Sequence, residues 1–148
     1  MNDEFVKDKI ENIIIKTILS DLNYALKIFA IAPDHKIFRR NATRGLYHFI
    51  RSYYEKYQKL PTEASIKSLC SKEEDMSQFM QEVTEIPEDL IENRDFVVDI
   101  STDYLKRTLF RNALMESALA MEDSDKYDTV LSKMRQAMEV SFDIYLGM

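Results

Sequence analysis

The stretch from Asp95 to Glu122 contains neither glycine nor proline and reads as one uninterrupted helix. At 1.5 Å per residue such a rod is about 42 Å long. A compact globule of this chain's length is only about 38 Å across by radius-of-gyration scaling. The helix must span the domain or protrude from it, and its pattern favours protrusion. At 100° per residue, Val98, Leu105, Leu109 and Ala113 form one stripe. Phe96, Phe110, Leu114 and Met121 lie on the far side, and Ile100, Tyr104, Met115 and Leu119 fill a third sector. An ordinary surface helix needs one apolar stripe. One partner helix cannot cover three.

Asp123, Ser124 and Asp125 then form an acidic turn. Beyond it a second helical pattern carries a narrower stripe of Tyr127, Val130, Leu131, Met134, Met138 and Phe142. A connection of about five residues or fewer favours antiparallel neighbours. The expected unit is a helical hairpin with one face buried internally and another left over. Pattern alone leaves two coverings open for that face: a second copy of the chain, or the chain's own N-terminal helices.

A chain of 148 residues with two glycines and three prolines has few turn residues. No run of period-two alternation is bounded by turn signals. The fold class is therefore all-α: a small bundle over residues 1–93, then a protruding antiparallel hairpin over 94–142. The single cysteine, Cys70, allows no internal disulfide and fits a reducing cytoplasm. The acidic start Met1-Asn2-Asp3-Glu4 is unlike a signal peptide. The most apolar run, Ile13 to Leu19, contains Lys16 and is too short to span a bilayer.

The bundle reads as a series of short helices. The first, from Asp3 to Leu19, draws a core stripe from Phe5, Ile10, Ile13, Ile14 and Ile18. Ser20 and Asp21 end it, and either can cap a second helix reaching Ala32, before Pro33. A short turn follows at His35 to Phe38. A third helix runs from Asn41 to Gln58, with Leu46, Ile50, Tyr53 and Tyr57 on one face. Thr62 caps a short helix, Ser71 to Glu74 resembles another capped start, and Pro87 closes the helix that follows.

The net charge of −6 conceals a segregation. Between His35 and Lys59, seven Lys/Arg face one acid, Glu55, so this window carries +6 and the remainder −12. Within it Arg40, Arg44 and Arg51 line up opposite the apolar face of the third helix. With Tyr47 and Tyr54 beside them they form a candidate patch for single-stranded nucleic acid or an acidic partner. The competing reading is a solvated helix back with both tyrosines in the core rim. The acidic remainder opposes phosphate binding unless oligomerisation focuses the patch, so contact of this domain with DNA is expected to be weak or absent.

No catalytic constellation is visible. There is no GxxxxGK[ST] phosphate loop, and His35 and His48 lie thirteen residues apart with no metal-ligand cluster around them. Cys70 reads as a buried structural thiol, and Glu73-Glu74-Asp75 as a solvated helix start. A small helical enzyme is the least favoured class.

The ending Met134-Arg135-Gln136-Ala137-Met138, followed by Ser141-Phe142-Asp143, Tyr145 and Gly147, resembles the end of the N-terminal domain of T-even-type bacteriophage replicative helicases, phage relatives of DnaB. Upstream, the Ile13-Ile14 helix, the Tyr24/Lys27 helix, Phe38, and the Phe49-Ile50 helix running to Tyr57 and Leu60-Pro61-Thr62 fall in the same order. From Ser71 to Glu92 the match is one of length and helicity only. The resemblance implies a DnaB-like N-terminal fold and a collar above a ring of six motors, whose hairpins pair between subunits and which engages primase and, in some members, the loader. Residues 143–148 would begin the linker to a motor domain outside this chain, and ATP and magnesium would belong to that motor alone. No cofactor and no membrane contact is expected of this chain, and the host cytoplasm is its expected place. Leu114, Met115, Leu119, Met121, Leu131, Met134 and Met138 are the expected seam or subunit contact. The rival of similar fold is the helicase-binding domain at a primase C-terminus. An acidic, capped helix headed by Met1 favours the helicase.

Overall fold

The computed structural model describes residues 3–120, 128–129 and 131–136. These residues contain helix and turn and no strand, so the all-α expectation holds for them. The helices are α1 (Asp3–Ser20), α2 (Leu22–Ile31), α3 (Asn41–Tyr57), α4 (Glu63–Cys70), α5 (Glu74–Thr84), α6 (Glu88–Glu92) and α7 (Arg94–Ala120), with a 3-10 turn at His35–Ile37. The chain divides into two compact units between Val97 and Val98, inside α7.

In the first unit α1 is the central helix, packed against α2, α3, α5 and α6. A single core stripe does not describe it. Every residue from Glu11 to Ile18 is buried, so the middle of α1 is enclosed on all sides, while Phe5, read as core, is exposed. Enclosure obliges its polar residues to find partners. Thr17 Oγ1 donates to Ile13 O at 2.7 Å, and Asn12 Nδ2 donates to Glu82 Oε2 at 3.3 Å. Lys16 donates to the carbonyl oxygens of Ile86 and of Thr84, the latter at 3.3 Å, and pairs with Glu88 Oε1 at 3.0 Å. Its ammonium thus caps the last turn of α5, where carbonyls lack intrahelical partners.

Helix boundaries follow local chemistry. Asp21, not Ser20, caps α2: its Oδ1 accepts from the Tyr24 N–H at 3.1 Å, while Ser20 Oγ turns back to donate to Lys16 O. Asp21 also pairs with Arg94 at the start of α7, 3.2 Å away. Thr62 caps α4 as its sequence context predicts, accepting from the Ser65 N–H at 3.2 Å. The capped start read at Ser71 is corrected. Ser71 closes α4, its hydroxyl donating to Ser68 O at 2.8 Å, and α5 begins after Glu73 without a side-chain cap. A serine one turn before acidic residues satisfies either helix end; here the end of α4 takes it. Helix α3 stops at Gln58, in the left-handed region at φ 58°.

Helix α7 runs 27 residues, about 40 Å at the standard rise. Val98, Leu105 and Ala113 are buried and Leu109 half-buried, as the first sequence stripe predicts. Ser101, Thr102 and Thr108 are buried alongside them. Farther on, Asp128, Thr129 and residues 131–136 are helical. Within this second unit Lys133 Nζ lies 2.6 Å from Glu116 Oε1, seventeen residues away in sequence. The expected turn at Asp123–Asp125, the stripe residues Tyr127, Val130, Met138 and Phe142, and the ending from Ala137 onward lie outside the described residues.

Candidate functional site

Two surfaces qualify as candidates: the basic side of α3, and the far end of α7. Helix α3 is amphipathic because Leu46, Tyr47 and Ile50 recur at helical spacing, and all three are fully buried. Burial of Tyr47 settles its role. Its hydroxyl donates to Ala32 O at 2.6 Å, and its ring lies 4.9 Å from Phe38 and 5.8 Å from Phe29. A phenol so enclosed cannot stack on a base. Desolvation by burial pushes its pKa above the ordinary tyrosine value, a rise that Arg51 partly offsets. Tyr54 is half-buried, its ring 5.9 Å from Phe29.

The three arginines are engaged inside their own fold. Arg40 Nη1 pairs with Glu82 Oε2 at 2.8 Å, and its guanidinium lies 4.8 Å from the centre of the Phe79 ring. The hydrogen bond from Arg40, helped by one from Asn12, holds the Glu82 carboxyl below the usual carboxylate range despite some desolvation. Arg44 Nε donates to Phe38 O, and Arg51 donates to Pro33 O while lying 5.8 Å from the Phe29 ring centre. Tyr47, Arg44 and Arg51 together pin the carbonyls of the connection between α2 and α3. The window's charge is therefore partly structural. Lys36, Arg39, Lys56 and Lys59 remain exposed in it. Nothing in the spacing of the arginines signals the loop-pinning role, because the acceptors are backbone atoms brought near only by the loop's path.

The far end of α7 presents the opposite chemistry. Leu114, Met115 and Leu119 are 57%, 62% and 68% exposed, and Leu131 is 57% exposed. Glu116, paired with Lys133, sits between them in sequence, and Met134 is half-buried. Met121 and Met138, assigned to the same contact from sequence, lie outside the described residues. Three large exposed side chains within six residues of one helix are denser than the scattered leucines of ordinary surfaces, and exposed apolar surface concentrated in this way marks interaction sites. It performs no chemistry: it can only bury itself against another apolar surface.

Two other sequence features resolve simply. Cys70 is buried at the end of α4, and burial raises its thiol pKa, with the Glu73 carboxylate adding to the rise; the protonated thiol is a poor nucleophile. Glu74 and Asp75 occupy the exposed first turn of α5. Among the described residues no group of three or more His, Cys, Asp or Glu is placed to hold a metal ion, and no helix is long and apolar enough to cross a membrane. Comparison with protein-family models, with curated proteins and with solved structures finds no match for this chain.

Proposed function

We propose that this chain is the N-terminal collar domain of a hexameric replicative DNA helicase of the T-even phage type, within the DnaB-like group. It joins subunits and docks primase, and in some systems the loader, in the host cytoplasm. It carries out no reaction itself; ATP and magnesium act in a motor domain beyond it. The observation that carries this reading is the exposed group Leu114, Met115, Leu119 and Leu131. Leaving that much apolar surface in water is unfavourable at about 25 cal/mol per Å², so a partner surface is its natural cover. The Glu116–Lys133 contact supports a return segment lying along α7 as a hairpin. The internal engagement of Arg40, Arg44 and Arg51 favours a protein partner over DNA for this domain.

The test is the mass of the chain in solution, alone and with the cognate primase. Assembly above the monomer, or a complex with primase, is the expected result. Leu119→Glu should shift the population toward monomer with helix content unchanged, since burying an unpaired carboxylate costs about several kcal/mol. A chain that stays monomeric at high concentration and ignores primase would sink the proposal.

A further inference from the structure

We draw no further inference here: the strongest candidate, the surface row of rings Phe49, Tyr53 and Tyr57 along one side of α3, with Tyr57 half exposed and Lys56 Nζ 5.2 Å from the centre of its ring, is an unpartnered helix face, and nothing in the structure shows what covers it.

Discussion

Helices α1 and α7 pose the same question and answer it oppositely. Each mixes apolar and polar residues around its whole circumference, and neither shows one clean stripe. Between Glu11 and Ile18, α1 is enclosed on every side, and Asn12, Lys16 and Thr17 are all hydrogen-bonded there. At its far end α7 leaves Leu114, Met115 and Leu119 exposed. The difference teaches that helix composition sets how much surface needs covering, while the neighbours decide whether it is covered. Four helices reach α1.

The largest effect that could break this contrast lies in the core. Ile14→Ala, at a fully buried site, should cost about 3 to 4 kcal/mol from lost transfer energy and a residual cavity. Leu119→Ala in dilute solution should change folding stability by less than about 0.5 kcal/mol. Urea midpoints of the two variants measure both, and equal losses would erase the distinction. Next, Lys16→Ala should cost about 2 to 3 kcal/mol, because the carbonyls of Thr84 and Ile86 lose their donor in a buried setting. A loss near zero would mean that water replaces the ammonium and that α1 is less enclosed than its neighbours imply.

Tyr47→Phe removes the hydroxyl that caps Ala32 O and should cost about 1 to 2 kcal/mol. It also carries a pH signature. Burial raises the folded-state pKa of Tyr47 above its ordinary value of 10.0, so the folded chain holds this proton after the unfolded chain has lost it. The contribution is complete below that value and declines as the pH climbs past it. Stability of the unmodified chain should therefore fall more steeply above about pH 10 than that of Tyr47→Phe. Parallel slopes would contradict the burial. The smallest effect is a gain. Gly45 lies inside α3, and a Cβ there would meet Met76 Sδ at 3.6 Å, an ordinary contact. Gly45→Ala should stabilise by about 0.5 to 1 kcal/mol through lower chain entropy; a loss would show that α5 packs closer to α3 than this spacing.

Much of the helical layout was legible because its signals are local. The Thr62 cap, the break at Pro33, the end of α3 near Gln58 and the buried stripe of Val98, Leu105 and Ala113 each depend on residues within a few positions. The misreadings have a common source. Ser71 stands between two helix ends, and local sequence does not rank them. Phe5 fits the stripe of α1 in period, yet the helices that enclose residues 11–18 leave it exposed. Of the two candidate surfaces, the apolar end of α7 was readable as excess apolar area. The engagement of Arg40, Arg44 and Arg51 was not, since Glu82 and the carbonyls of Pro33 and Phe38 are distant in sequence or belong to the backbone.

The sequence by itself determined the helical class, the unbroken run of α7 through the described residues and most of the places where helices start and stop. Period, capping chemistry and the scarcity of glycine and proline act over a turn or two, so they survive without the fold. Only the tertiary structure decided which helix became the interior and which charges became internal struts. Those outcomes depend on which distant groups meet, and a carbonyl or a carboxylate becomes a partner only when the chain's path brings it within about 3 Å.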